Sequence, residues 1–316
     1  MIYRRLGGSG LKVSLFSLGS WTTFGENVDD RIARACVRAA FEAGVNFFDN
    51  AEAYGGGQAE IVMGGILREM PREDLVISSK VFWGGEGPND VGLSRKHVME
   101  ACHAALRRLQ VEYLDLYFCH RPDPDTPIYE TVHAMDVLIR QGKVLYWGTS
   151  EWSAAQIRAA YAVARQHNLV PPTCEQPQYN LLAREKVEGE LHALCVEEGL
   201  GLTTWSPLSS GVLTGKYNDE VPEDARLGQA SLDWLRDILV TPENIAKVRR
   251  LAPIAEGLDC SLAQLALAWT ARNPDVSTVI TGATRPQQIE QNLAALELIP
   301  KLTPEILAAI DAAVAG

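Results

Sequence analysis

The stretch DDRIARACVRAAFEAGVNFFDNAEAYGGG, residues 29–57, passes from a helical pattern into a short apolar strand that stops at an acid. Asp at its start and Gly44 near its middle predict an amphipathic helix over 29–44. The run NFFDNA then predicts a strand that ends at Asp49. Because Asp also starts turns well, the meaning of Asp49 depends on where this strand end lies in the fold.

The same alternation of short strands and longer helices extends along the whole chain. Further strands are predicted over 14–21, 75–81, 113–120, 144–150, 174–179, 201–207 and 277–283. Helices are predicted over 58–70, 94–109, 127–141, 153–167, 184–199, 243–256 and 285–297. Strand–helix units in series, mostly with short loops, indicate an α/β fold with parallel strands closed into a (β/α)8 TIM barrel.

We expect one domain over 1–316. A doubly wound open sheet is the alternative, but GSGLKV lacks the third glycine of its dinucleotide fingerprint.

Some segments are additional to the eight strand–helix units of a minimal barrel. Residues 2–13 predict a β-hairpin around GGSG that could close the barrel floor. Residues 208–240 form a long insertion after the seventh barrel strand, and 259–272 and 303–315 predict extra helices near the C-terminus.

Composition and charge exclude several classes of function. The 316 residues are 47% hydrophobic and 22% charged, which is ordinary for a globular protein. A net charge of −11 argues against general nucleic-acid binding. No apolar run approaches the roughly 20 residues of a membrane span, and MIYRRLGGSG lacks the apolar region of a signal peptide. Six scattered cysteines without a CxxC pair predict reduced thiols and a cytoplasmic location, with no metal site.

Polar side chains mark the ends of several predicted strands. In a TIM barrel the carboxyl ends of the strands form the active-site face. The residues at or near these ends are Asp49, Lys80, His120, Ser150, Gln176 and Trp205. Each has a structural explanation when taken alone: Asp49 can cap a turn, and His120 can be a satisfied histidine beside Pro122. Lys80 is harder to explain by packing, because lysine is rarely buried without a partner.

The candidate residues suit the reduction of a carbonyl group. An ammonium at Lys80 favours the phenolate form of Tyr54, which makes its hydroxyl a better proton donor. Asp49 would hold Lys80 charged and oriented, and His120 would hydrogen-bond the carbonyl oxygen. None of these side chains can supply a hydride, so the chemistry requires a cofactor.

These residues belong to a longer pattern that resembles the aldo-keto reductase superfamily, and within it the β-subunits of voltage-gated potassium channels and their bacterial relatives. The strings that carry the resemblance include YRRLGGSGLKVS, GSWTTFG, FFDNAEAYGGGQAE, GLSRKHV, RPDPDTP, YWGTSEWS, CEQPQYN, TWSPLSSG and GKY. The resemblance implies a catalytic tetrad of Asp49, Tyr54, Lys80 and His120. The channel subunits typically have Asn at the last position, whereas HRPDP here is similar to ordinary reductases and favours catalysis.

The resemblance also implies NADP(H), bound in an extended form across the barrel mouth. Ser150 and Gln176 match positions that hold the nicotinamide amide. The turn and helix start in TGATRPQQIEQN, 281–292, match the adenosine end, where helix N–H groups can bind an anion. The family's Glu beside Asn292 is Gln291 here, which departs from the pattern. The implied cofactor-binding residues are Ser20, Trp21, Asp49, Ser150, Gln176, Trp205, Ser206, Pro207, Leu208, Ser210, Lys216, Arg226, Gly282, Thr284, Arg285, Gln288 and Asn292.

Trp21, Tyr54, Trp83 and His120 are expected to line the substrate pocket. The function predicted is NADPH-dependent reduction of aldehydes or ketones to alcohols, with Tyr54 as general acid. One alternative is a slow or non-catalytic nicotinamide-binding sensor subunit. Another is a lyase that uses Lys80 as a Schiff base, although an Asp and a Tyr paired with that Lys argue against it. The expected partner is a small carbonyl compound, without nucleic acid or membrane insertion, and a homo-oligomer is compatible with the sequence.

Overall fold

A computed structural model describes residues 1–25, 27–223 and 225–315. Eight parallel strands form a closed barrel in chain order, with the last strand pairing to the first. The (β/α)8 TIM barrel predicted from the sequence is therefore confirmed. The barrel strands are β3 (Phe16–Gly19), β4 (Phe47–Asp49), β5 (Val76–Val81), β6 (Leu114–Cys119), β7 (Val144–Ser150), β8 (Cys174–Gln176), β9 (Gly201–Thr204) and β10 (Val276–Thr281).

Helices surround the barrel, and the first shows how the local sequence sets them. The Asp29 side chain accepts hydrogen bonds from the backbone N–H groups of the first turn, and buried Ala33, Cys36, Val37 and Ala40 form one face. The helices are α1 (Asp30–Glu42), α2 (Gln58–Leu67), α3 (Arg95–Leu109), α4 (Ile128–Arg140), α5 (Ala154–His167), α6 (His192–Glu198), α7 (Asp233–Leu239), α8 (Pro242–Gly257), α9 (Leu262–Arg272), α10 (Pro286–Leu293) and α11 (Pro304–Val314). The helix predicted over 184–199 instead begins as a π-helical segment, Lys186–Leu191.

The N-terminal hairpin consists of the antiparallel strands β1 (Tyr3–Arg5) and β2 (Lys12–Ser14). Leu6 and Val13 are fully buried against Phe47, Val76 and other side chains from the amino-terminal parts of the barrel strands. Gly7 has a φ of +54°, and a Cβ there would lie 2.1 Å from the carbonyl oxygen of Gly199. The hairpin therefore closes the barrel floor, as predicted, and glycine lets the two backbones approach.

The insertion after β9 reaches back over the barrel mouth. It contains the 3-10 segments Ser209–Thr214, Arg226–Gly228 and Ala230–Leu232, followed by α7. The Arg226 guanidinium carbon lies 4.3 Å from the centre of the Trp21 ring, in the loop after β3. The contact brings the insertion and this loop together at the carboxyl end of the barrel.

The cysteines and the helices bear on the predicted redox state and on the search for a membrane span. All six cysteines are free thiols, in agreement with the expectation that they are reduced. Within the part of the chain that the structure describes, no single helix is long and apolar enough to cross a membrane, and one bent pair, α8 with α9, passes that test on length and composition alone.

Candidate active site

A buried ion pair lies at the centre of the barrel mouth. The Lys80 ammonium is 2.6 Å from Asp49 Oδ2, and the Lys80 side chain has no exposed surface. It also donates to the carbonyl oxygen of Asn50 at 2.7 Å and to the Tyr54 hydroxyl at 2.9 Å. All three N–H donors of the ammonium thus have acceptors, and Ser78 donates to the other oxygen of Asp49. Asp49 and Tyr54 raise the pKa of Lys80 despite its burial, so it is charged at neutral pH.

Tyr54 begins a 3-10 turn, Tyr54–Gly57, in which Gly55 and Gly56 have φ values of 56° and 59°. These left-handed conformations are readily adopted only by glycine and direct the chain into α2. Burial raises the pKa of Tyr54, and the Lys80 ammonium only partly offsets that rise. The direction predicted for the effect of Lys80 is therefore correct, but the net pKa is raised, because desolvation is the larger effect. Tyr54 is protonated at neutral pH, as a proton donor must be.

His120 follows directly after β6 and is 7% exposed. Its ring centre is 5.7 Å from that of Tyr54 and 5.1 Å from that of Trp83. Burial, the Lys80 ammonium and Arg121 lower the pKa of His120 well below its usual value, so the imidazole is neutral. Among the described residues its Nδ1 atom has no hydrogen-bond partner. A neutral ring beside the phenol can donate one hydrogen bond to a substrate oxygen.

Ser150 and Gln176 lie side by side at the ends of β7 and β8, where their Cα atoms pair. The Ser150 hydroxyl donates to the carbonyl oxygen of Gln176 at 2.9 Å. The Gln176 side-chain N–H₂ group donates to Asp49 Oδ1 at 3.1 Å. Because a carboxylate only accepts, Asp49 determines which way the Gln176 amide faces. The amide oxygen of Gln176 is thereby left to accept a hydrogen bond, which suits the N–H₂ group of a carboxamide.

Aromatic side chains line the mouth between β3, β5 and β9. The Trp21 ring centre is 6.1 Å from that of Trp205, edge to face, and 6.5 Å from that of Tyr54. Trp83 is 42% exposed on the loop after β5. The four residues predicted to line the substrate pocket therefore lie around one opening.

The remaining predicted cofactor residues occupy the β3, β9 and β10 sides of the mouth. Ser20 is buried and donates to the Asn50 side chain at 2.9 Å. Ser206 and Ser210 each have a φ of 54°, and Pro207 and Leu208 lie between them in the chain. Lys216 Nζ lies 4.9 Å from the Tyr217 ring centre. The mouth also contains buried polar atoms that lack a partner among the described residues, namely Asn50 Nδ2 and Ser209 Oγ. These atoms fit a site that holds a polar ligand.

The residues predicted to bind the adenosine end of the cofactor lie in the turn before α10 and on α10 itself. The Gln288 side chain accepts from the Thr284 backbone N–H at 2.7 Å and so caps the turn. Gly282 and Arg285 are exposed, and Asn292 is buried on α10. Gln291, which departs from the family pattern, accepts through its carbonyl oxygen from the Gln264 side chain of α9.

Two residues at the mouth were missed by sequence reasoning. Glu151, with a φ of +59°, accepts from Trp205 Nε1 at 2.9 Å, from the Gln178 backbone N–H at 2.6 Å and from Lys186 at 2.8 Å. These hydrogen bonds therefore hold the Trp205 ring in its position at the barrel mouth. Arg121 donates to the His120 carbonyl oxygen at 2.6 Å. Glu151 directly follows Ser150 and Arg121 directly follows His120, and these positions were the signal in the sequence that could have identified them.

The chain belongs to the aldo/keto reductase family, since the family model matches residues 16–315. Among the curated relatives, a probable voltage-gated potassium channel subunit beta of Oryza sativa subsp. japonica is 52% identical over 99% of this chain and 97% of its own length. A protein of the same description from Arabidopsis thaliana is 52% identical over 98% of this chain and 96% of its own length. The resemblance read from the sequence motifs is therefore confirmed.

Proposed function

We propose that the protein reduces aldehydes or ketones to alcohols with NADPH, and that Tyr54 donates the proton. The observation that carries this proposal is the continuous chain of contacts from Asp49 through Lys80 to the Tyr54 hydroxyl, 2.6 and 2.9 Å long. Membership of the aldo/keto reductase family supports an oxidoreductase that uses a nicotinamide cofactor.

Each side chain has a distinct role in this reaction. The carbonyl oxygen accepts hydrogen bonds from Tyr54 and from neutral His120, which orients it and polarises the C=O bond. As negative charge develops on that oxygen, the Tyr54 proton moves to it, and the adjacent Lys80 ammonium stabilises the phenolate that remains. Solvent then returns a proton to Tyr54. Bound NADPH would supply the hydride to the carbonyl carbon.

The same geometry disfavours the Schiff-base alternative at Lys80. A lysine attacks a carbonyl only as the neutral amine, whereas the surrounding acceptors raise the pKa of Lys80. Its side chain also has no exposed surface. Borohydride should therefore trap no substrate on Lys80.

The proposed acid is tested by Tyr54→Phe. NADPH oxidation is followed against a panel of aldehydes and ketones, and the variant should lose about 10²- to 10⁴-fold in kcat, which is the usual range for general acid catalysis. Its affinity for NADPH, titrated by fluorescence, should stay within about twofold. Tyr129→Phe, at an exposed position on α4, is the matched control. A Tyr54→Phe protein that keeps most of its kcat would show that another group is the acid.

The proposed preference for NADPH is tested at Arg285. A guanidinium at the start of α10 can bind the 2′-phosphate, which NADH lacks. We expect Arg285→Ala to weaken NADPH binding by about 10-fold or more, the range for a charge-assisted contact, and to leave NADH binding nearly unchanged. Arg107→Ala, at an exposed position in the last turn of α3, is the control. Equal losses for both cofactors would show that Arg285 contacts something that they share.

A second candidate function is a slow nicotinamide-binding subunit of a membrane channel. The observation that favours it is that both relatives are described as probable voltage-gated potassium channel β subunits. The aldehyde panel distinguishes the two candidates. A reductase turns over many times at saturating aldehyde, whereas a sensor would complete about one turnover for each cofactor bound.

A further inference from the structure

We infer that Arg121 forms an anion-binding subsite beside the candidate catalytic residues, so that the preferred substrates are aldehydes or ketones that also carry a carboxylate or phosphate group. This inference rests on the proposed function, because it names the substrate class of the same site.

Arg121 lies on the substrate side of the barrel mouth. Its guanidinium carbon is 5.3 Å from the centre of the Trp83 ring, and that ring is 5.1 Å from the His120 ring. Burial has the largest effect on the pKa of Tyr54 and of His120, and the Lys80 ammonium has the next largest. The Arg121 charge adds a smaller effect, which lowers the pKa of both side chains. A substrate whose carbonyl oxygen meets Tyr54 and His120 would therefore place a nearby substituent next to Arg121.

The guanidinium is half-buried but has no carboxylate within 4 Å among the described residues. Three carboxylates at the barrel mouth instead accept hydrogen bonds or form ion pairs with other groups. Asp123, two residues further along the chain, accepts from the Leu93 backbone N–H at 2.7 Å and from Thr126. Asp49 is paired with Lys80, and Glu151 is paired with Lys186. Among the described residues, the Arg121 guanidinium at the pocket wall is thus left without a carboxylate partner, in a protein of net charge −11.

The hydrogen bonds that Arg121 makes use only one of its nitrogens and leave other N–H donors for a ligand. One nitrogen, Nη1, donates to the His120 carbonyl oxygen at 2.6 Å and lies 3.5 Å from the Ser150 hydroxyl. This contact holds the planar group in place, while the guanidinium has five N–H donors in total. A preorganised guanidinium suits bidentate binding of a carboxylate or phosphate.

The position of Arg121 separates it from the proposed phosphate-binding end of the cofactor site. It follows β6, and the adenosine-end segment follows β10, four strands away around a ring of eight. The two segments are therefore on opposite sides of the barrel. The predicted cofactor residue that Arg121 does contact, at 3.5 Å, is Ser150, which belongs to the nicotinamide end.

The test compares paired substrates that differ only in the anionic group. The pairs are 4-carboxybenzaldehyde with its methyl ester, succinic semialdehyde with its methyl ester, and glyceraldehyde 3-phosphate with glyceraldehyde. We expect the wild-type protein to favour the anionic member of at least one pair in kcat/KM, and the pair that responds identifies the anion. Arg121→Met should lower that preference by about 10- to 100-fold, mainly through KM, because a charge-assisted contact is lost equally in the ground and transition states.

Two controls separate a specific contact from a structural effect. Arg121→Lys keeps the charge without the planar fork and should retain part of the preference, and Arg107→Met should retain all of it. In the wild-type protein, added salt should raise KM for the anionic substrate and leave KM for the neutral partner unchanged. This salt test needs no variant, so it holds even if Arg121→Met does not fold.

The possible failures are distinguishable. If no carbonyl compound is reduced in any pair, the proposed function is wrong and this inference with it. If neutral aldehydes are reduced but no anionic partner is preferred, only the Arg121 subsite is wrong. Loss of NADPH affinity in Arg121→Met, with an unchanged preference, would place Arg121 in the cofactor site instead.

Discussion

The pair formed by Asp49 and Lys80 is held by contacts that leave neither charge without a partner. Breaking a buried pair by removing one partner costs about 3–5 kcal/mol, because the other charge stays buried. Asp49 and Tyr54 raise the pKa of Lys80 above its value in the unfolded chain, although burial opposes the charge. The stabilisation by this pair is therefore full at neutral pH and is lost as the pH rises through the raised pKa of Lys80.

Asp49→Asn is expected to lower the free energy of unfolding by about 3–5 kcal/mol. The amide keeps the shape of the carboxylate but cannot neutralise the buried ammonium. Adding Lys80→Met removes that uncompensated charge, so the double variant should be more stable than Asp49→Asn alone. Urea unfolding at pH 7 measures both. If the losses from Asp49→Asn and Lys80→Met simply add, the two side chains are not coupled.

At the scale of elements, α2 follows the turn that contains Tyr54, and its packing depends on one of two adjacent glycines. A Cβ on Gly64 would lie 2.4 Å from the carbonyl oxygen of Leu109 at the end of α3. A Cβ on Gly65 would meet no atom within 4 Å. A glycine-to-alanine substitution at Gly65 therefore tests helix propensity alone, whereas at Gly64 it also tests the packing of α2 against α3.

Gly64→Ala is expected to destabilise the protein by about 1–3 kcal/mol, as overpacking does. Gly65→Ala is the matched control and should stabilise it by about 0.5–1 kcal/mol, because alanine restricts the unfolded chain. Thermal unfolding of the two variants side by side gives the comparison. Similar effects in both would show that α2 and α3 can move apart without cost.

Strand ends were predicted less well than strands. The strand over 144–150 has the predicted bounds, but the run over 174–179 is a strand only to Gln176. Pro177 follows directly and has no N–H to donate to a neighbouring strand. The proline was visible in the sequence, but only the pairing of β8 with its neighbours decides where the ladder stops.

At the scale of the whole molecule, the barrel has a floor and a mouth with separate roles. The floor is closed by the hairpin, whose Leu6 and Val13 are fully buried against the first residues of several strands. The candidate catalytic residues lie at the other end. In barrels of this kind the amino-terminal face contributes to stability and the carboxyl-terminal face to chemistry.

Leu6→Ala is therefore expected to lower the free energy of unfolding by about 2–5 kcal/mol, as the loss of a buried leucine does. Well below its unfolding temperature, the variant should keep kcat and NADPH affinity within about twofold of the wild-type values. Denaturant unfolding and steady-state kinetics on one preparation measure both. A large fall in kcat with little loss of stability would mean that the floor and the mouth are mechanically linked.

The sequence by itself determined the barrel, and it named the candidate catalytic residues, whose roles stay predictions. Strand–helix alternation is a local pattern, and parallel barrel strands all present their carboxyl ends to one face. Only the tertiary structure decided how these residues affect one another. Asp49 orients the amide of Gln176, 127 residues away, burial outweighs Lys80 in raising the pKa of Tyr54, and Arg121 has no carboxylate beside it among the described residues. Distances and burial depend on where every strand places its neighbours, and no local pattern contains that information.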